Sequence, residues 1–251
     1  MVIRSFYQFL IGFDDKDQKK YAFLTRDGHL VPLNASVHSL FYHRDAQMIY
    51  GVWNRNGKDV IGRTELKSER IDFSALFTLS NKRLSHTTVS PDNQKIAFLT
   101  TDETTQETQL RIISREEFGW FPLPFIRFPV ALSSLCFCSS DLLMYTDTKG
   151  TLRAARLYKP VRIAEISPQG HTPAYNDVTK SRAFIQNGKI FISGAISTEI
   201  ETENASVISF SKNGKELFFA DNNALYRYDL STKEKTVIFR SSFPIVFIAE
   251  L

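Results

Sequence analysis

A chain of 251 residues can bury a large core, and all-β architectures of this length are routinely one domain, so residues 1–251 are read as a single domain. Apolar residues make up 43% of the chain and charged residues 23%, which excludes a disordered polymer, while 21 Phe and 9 Tyr favour sheet over helix. The formal net charge of +4 arises from 31 basic and 27 acidic residues interleaved along the chain, without the concentrated basic patch that a nucleic-acid partner requires.

The stretch Met1 to Phe13 lacks a lysine-rich start and a small-residue cleavage site, and no segment approaches the roughly 18 apolar residues of a membrane-spanning helix. A cytoplasmic protein with no membrane partner is therefore expected. Phe6–Ile11, Tyr21–Leu24 and Leu30–Leu33 supply three short strands. Ser39–Tyr42 then leads through Arg44-Asp45 to Met48–Gly51, and Leu84–Val89 leads through Ser90-Pro91-Asp92-Asn93-Gln94-Lys95 to Ile96–Leu99. Leu132–Phe137 passes through Ser139-Ser140-Asp141 to Leu143–Tyr145. A weaker copy has turns at Asp177–Lys180 and Gln186–Lys189 around Arg182–Ile185.

The clearest unit is Ala205–Phe239. It contains Ser206–Phe210, the turn Ser211–Lys215, Leu217–Ala220, Ala224–Leu230 and Lys235–Phe239. Asn213-Gly214 marks a hairpin, because both residue types tolerate positive φ. Second strands of these units begin near residues 48, 96, 142, 182 and 217, intervals of 35 to 48 residues that signal a propeller repeat. The three N-terminal strands need a fourth, and Ile245–Ala249 supplies it. Pairing the two ends of the chain protects strand edges that would otherwise be open. The expected fold is thus an all-β propeller of six four-stranded blades, with five or seven as the alternatives.

Ser90-Pro91-Asp92-Asn93-Gln94-Lys95-Ile96-Ala97-Phe98 resembles the repeat signature of TolB-like propellers, also found in the propellers attached to prolyl oligopeptidases. Ser211–Lys215 with Leu217–Phe219 and Leu225–Leu230 is similar. Asn93 stands where that signature has glycine, and no unit carries a tryptophan-aspartate pair. The resemblance implies the fold; function must come from a site.

Chemistry-bearing motifs are sparse. The chain has no G-x-S-x-G elbow, Walker loop, H-E-x-x-H or G-x-G-x-x-G. His29, His38, His43, His86 and His171 are scattered, and Cys136 with Cys138 is one local pair where structural zinc uses two, so neither a metal nor a cofactor is expected. The cysteine pair is read as two free thiols on one strand face, suited to a reducing compartment. Asp14, Asp15 and Asp17 beside Lys16, Lys19 and Lys20 read as a charge-balanced turn. Glu199, Glu201 and Glu203 read as the guarded face of an outer strand.

Phe118–Pro129 is the unusual segment, with five aromatics and three prolines in twelve residues. Proline cannot donate to a ladder, so the segment belongs on an outer edge or a connection between blades. It is either a hydrophobic plug or an exposed patch that anchors a partner through Phe118, Trp120, Phe121, Phe125 and Arg127. The functional expectation is a non-enzymatic, stand-alone propeller scaffold that binds another protein, in its most specific form an immunity or adaptor protein of a bacterium. The alternative is a propeller enzyme or small-ligand binder with a metal or polar site at the central channel.

Overall fold

The computed structural model describes residues 7–15, 18–33, 36–66, 71–80, 82–124, 126, 128–130 and 134–251. Short apolar runs punctuated by turn residues give twenty-five strands, and no helix occurs among the described residues. The first sheet holds β1 (Tyr7–Asp15), β2 (Gln18–Thr25) and β3 (Leu30–Pro32), and the second β4 (Ser39–His43), β5 (Met48–Arg55), β6 (Lys58–Glu65) and β7 (Ser74–Thr78). The third comprises β8 (Lys82–Val89), β9 (Lys95–Asp102), β10 (Thr108–Glu116) and β11 (Gly119–Pro122), with the two-residue β12 (Phe128–Pro129) also on β10. The fourth contains β13 (Cys136–Ser139), β14 (Leu142–Thr146), β15 (Leu152–Arg156) and β16 (Arg162–Ser167). β17 (His171–Asn176), β18 (Ser181–Gln186), β19 (Lys189–Ser193) and β20 (Thr198–Glu201) build the fifth. The sixth has β21 (Ala205–Phe210), β22 (Glu216–Asp221), β23 (Ala224–Asp229) and β24 (Lys235–Arg240).

The last strand, β25 (Ile245–Glu250), returns to the first sheet and pairs with β1 in the order β25-β1-β2-β3. Leu10 lies opposite Ala249 and Ile11 opposite Ile248. The expected pairing of the two ends is therefore observed, and the fold is an all-β, six-bladed propeller.

By contact density the chain forms two compact units. One contains Met1–Ala35, Lys67–Ile71 and Thr172–Leu251, hence the first, fifth and sixth sheets; the other contains Ser36–Leu66 and Asp72–His171, hence the second, third and fourth. Within the first unit, Phe9, Ile11, Phe218, Leu225 and Ile245 pack the sixth sheet against the first, and Ile185, Ile190, Phe210 and Leu217 pack the fifth against the sixth. Within the second, Tyr50, Val52, Ile96 and Phe98 join the second and third sheets, and Leu99, Ile112, Phe137 and Leu143 join the third and fourth.

Inner and middle strands are covered on both faces, which explains their continuous apolar runs: Leu217-Phe218-Phe219-Ala220 is buried throughout. Outer strands have no such cover. Arg162 to Glu165 of β16 are all exposed. On β20, Glu199 and Glu201 both reach Lys189 Nζ, at 3.4 and 2.7 Å, so charge guards that edge, but the strand ends at Glu201 and Glu203 lies in the bend beyond it.

Two glycines face each other across β5 and β6, where Gly51 is paired with Gly62. A Cβ on Gly62 would lie 2.3 Å from the Trp53 ring and 2.5 Å from the Ser74 carbonyl oxygen. The missing side chains let Trp53 stack on Phe73, with centroids 5.3 Å apart.

Turns follow their residue chemistry. Asn56-Gly57 and Asn187-Gly188 are two-residue hairpin loops with positive φ at both positions. Asn213-Gly214 differs: only Gly214 is left-handed, and its N–H donates to the Ser211 carbonyl oxygen at 3.0 Å. Asn93 takes the corresponding place in the third sheet with φ 59°, its N–H donating to Ser90 O at 2.8 Å. Asparagine is among the side-chain-bearing residues that tolerate that conformation best, which fits its standing in for glycine.

These turns are joined from sheet to sheet. In the second unit His43 Nε2 donates to the Ser90 carbonyl at 3.0 Å and Lys95 Nζ reaches Asp141 at 3.0 Å. In the first unit Asn176 Nδ2 donates to Ser211 O at 2.9 Å and the Lys212 N–H donates to Glu250 Oε2 at 2.9 Å. Burial pushes the Asp92 carboxyl up, but hydrogen bonds from the Ser90 and Ser140 hydroxyls and the Gln94 N–H, with the Lys95 charge, hold it below the usual carboxylate range.

The cysteine reading needs one correction. Neither cysteine is in a disulfide, but the ladder between β13 and β14 shifts register between Phe137 and Ser139, so strict alternation fails there and Phe137 and Cys138 are both buried.

Candidate functional site

The aromatic and proline segment forms the outer margin of the third sheet. β10 turns at Glu117-Phe118 into β11, with Glu116 opposite Gly119, Arg115 opposite Trp120 and Ser114 opposite Phe121. Gly119 takes φ 140° at the turn. The Arg115 N–H donates to Gln94 O at 2.8 Å, which seats the hairpin beside the Ser90–Gln94 turn.

Alternation along β11 then separates the side chains. Trp120 is half-buried against the cluster containing Ile96, Phe98 and Ile113, whereas Phe121 is 42% exposed. Phe118, at the hairpin tip, is 87% exposed. The two readings of the segment therefore hold for different residues. Trp120, Ile126 and Phe128 are the plug, with Ile126 only 1% exposed and Phe128 stacked on Tyr145 at 5.7 Å and 6°. Phe118 and Phe121 are the exposed aromatics. Phe125 and Arg127 lie outside the described residues.

Proline interrupts the outer strand. β11 ends at Pro122, and pairing with β10 resumes only at Phe128, opposite Leu110. Between them the Leu123 N–H donates to Ile112 O at 2.8 Å and the Ile126 N–H to Leu123 O at 3.1 Å. The interruption opens a cavity of about 100 Å³ walled by Phe77, Leu79, Phe98, Ile112, Leu123 and Ile126. Arg111 lines one side and its Nε atom is buried. Pro122 and Pro124 also line the cavity. Sequence reasoning missed this cavity; its only signal was the spacing of the two prolines around Leu123.

Further exposed apolar side chains sit on the neighbouring fourth sheet: Tyr158, in the loop after β15, and Ile163 on β16. The Arg156 guanidinium donates to Tyr158 Oη at 3.3 Å. That loop is tied to the sheet by the Leu157 N–H donating to Asp141 O at 2.9 Å.

The expected titratable candidates have structural roles. His43 bonds Ser90 O, His29 and His38 approach Asp27 and Asp59 at 3.6 and 4.0 Å, and burial pulls His171 down. Asp15 pairs with Lys20 across the first hairpin; Lys16 and Asp17 lie outside the described residues. Among the described residues no three His, Cys, Asp or Glu side chains are grouped to hold a metal ion.

Six sheets and an aromatic hairpin on the rim of one of them define a propeller whose candidate site lies on an outer strand. No protein-family model matches the sequence, and no curated protein matches it. Its structure is similar to TolB from Acinetobacter baumannii, with a TM-score of 0.76 at 12% identity, over 97% of this chain and 66% of that one. It is also similar to a chain of a nidogen/laminin complex, with a TM-score of 0.68 at 11% identity, over 96% and 97% of the two chains. Prolyl oligopeptidase B from Galerina marginata gives 0.61 at 10% identity, over 94% of this chain and 41% of that enzyme. The chain thus spans only part of TolB and less than half of the oligopeptidase. At these identities the likeness is one of fold, the same propeller architecture that the repeat signature implied.

Proposed function

We propose that the protein is a non-enzymatic propeller scaffold that binds another protein through the β10–β11 hairpin. One observation carries the reading: Phe118 projects from the hairpin tip at 87% exposure, followed on β11 by the exposed Phe121. Keeping a benzyl group in water forgoes about 2 kcal/mol of burial, and aromatic rings beside arginine are the residue types that dominate binding hot spots. The rigid support fits this role, since Trp120 fixes the strand from its opposite side and little conformational freedom is lost on docking. Among the structural neighbours, one propeller comes from a nidogen/laminin complex, which supports the use of such a fold in protein recognition.

A reducing, cytoplasmic setting is the finer part of the proposal, supported by two cysteines that form no disulfide. An immunity or adaptor role is its most specific form. The test is affinity capture from the native cell with the wild type and with the Phe118→Ser/Phe121→Ser variant. A protein retained by the first and lost by the second, at equal thermal stability, supports the scaffold. A partner that both variants hold equally sinks it.

A further inference from the structure

The cavity beneath the interrupted outer strand has a definite size, polarity and position, and together they select an occupant. At about 100 Å³ it falls below the roughly 300 Å³ at which sites for metabolites and cofactors begin. It is nearer the engineered apolar cavity of about 150 Å³ that takes up a single benzene. Its walls are the side chains of Phe77, Leu79, Phe98, Ile112, Leu123 and Ile126. They come from both apolar clusters of the third sheet: Phe77, Leu79 and Phe98 belong to the one shared with the second sheet, and Ile112, Leu123 and Ile126 to the one shared with the fourth.

Among the described lining residues Arg111 is the charged one and the rest are apolar, so an ammonium group entering the site would give up its hydration. Pro122 and Pro124, both exposed, also line the cavity, and Pro122 directly follows the exposed Phe121. An aliphatic or one-ring group fits these limits, and a nucleotide, a sugar or a lysine side chain does not.

We propose that this cavity is the seat for one apolar side chain, of the size of leucine or phenylalanine, carried by the partner that docks on the β10–β11 hairpin. The proposal rests on the scaffold reading for the identity of the donor, but the seat itself can be tested alone. A single buried anchor surrounded by exposed aromatic contacts is the usual anatomy of a small recognition surface. In this arrangement Phe118 and Phe121 cover the partner's backbone while its anchor fills the gap left by the prolines.

The experiment titrates the purified protein with toluene and, separately, with benzylamine, following the methyl resonances of Ile112 and Ile126 by NMR. Toluene should shift both methyls saturably, and benzylamine should bind at least about tenfold more weakly, since the two differ chiefly by a positive charge. Leu123→Trp, which fills the cavity from a half-buried position, should abolish the toluene shifts; Leu79→Trp serves as the second filling variant should the first not fold. Absence of saturable shifts in the wild type would overturn the proposal, as would equal binding of the two probes or shifts that persist in a folded filled variant. Phe118→Ser/Phe121→Ser should still take toluene. That variant separates the two claims, because failure of the scaffold reading appears as an unchanged partner with an intact toluene site.

Discussion

Replacing Ile245 by alanine tests how the two ends of the chain hold the first sheet. Its side chain is 0% exposed and packs among Phe9, Ile11, Phe218 and Leu225. Such a substitution in a two-sided core costs about 3 kcal/mol through lost transfer energy and the cavity left behind. For a domain of this length each kcal/mol lowers Tm by about 2–4 °C, so a fall of about 6–12 °C is expected. Deleting residues 245–251 removes Ile245 and Ile248, worth about 3–6 kcal/mol of burial. It also removes the Ser206 hydroxyl's bond to Ile245 O, the Lys212 bond to Glu250, and the whole ladder with β1. That loss rivals the total stability of about 5–15 kcal/mol of a typical domain, so the truncated protein should show no cooperative transition. Circular dichroism and urea melts of both variants provide the readout. A Tm within about 2 °C of wild type for Ile245→Ala, or a cooperative melt for the truncation, would refute the pairing of β25 with β1 as a stabilising closure.

Gly62→Ala should lower stability by about 1–3 kcal/mol in a urea melt, because its Cβ would meet the Trp53 ring at 2.3 Å and a backbone carbonyl at 2.5 Å. Asn93→Gly keeps the left-handed backbone but removes the side-chain oxygen that accepts from the buried Tyr50 hydroxyl, so it should cost about 1–3 kcal/mol; Asn93→Ala should cost about 1 kcal/mol more for placing a Cβ at φ 59°, with thermal melts deciding between them. Asp229 accepts hydrogen bonds from the Ser231 hydroxyl and the Thr232 and Ser231 N–H groups, which lower its pKa to about 2. Because the folded value lies below the unfolded one, this turn's stabilisation is complete above about pH 4 and is lost as pH falls through about 2. A carboxyl titration by NMR that placed Asp229 near 4 would contradict the turn geometry.

The propeller was legible because its signals are local and repeated. Turns such as Ser90–Lys95 and Ser211–Lys215, each followed by a doubly buried apolar strand, recur at intervals of 35 to 48 residues, and Ile245–Ala249 was left over where a fourth strand was missing. What escaped depends on contacts that no local pattern encodes. Gly51 and Gly62 are paired only through register, and His43 finds Ser90 across a sheet boundary 47 residues away. The bulge at Cys138 breaks an alternation that the sequence displays without interruption. For the site, composition marked Phe118–Pro129 as an outer segment, but the division between the plugging Trp120 and the exposed Phe118 and Phe121 follows from the phase of β11. The cavity required knowing that Pro122 ends a strand which Phe128 resumes.

The most direct test of the scaffold is the affinity of the captured partner for purified wild-type protein and for Phe118→Ser, measured by titration calorimetry alongside matched thermal melts. An exposed side chain should leave Tm essentially unchanged, while loss of a hot-spot aromatic should weaken binding by about 2 kcal/mol, roughly thirtyfold in Kd. An unchanged Kd in a variant of wild-type stability would contradict the assignment of the β10–β11 hairpin as the binding surface.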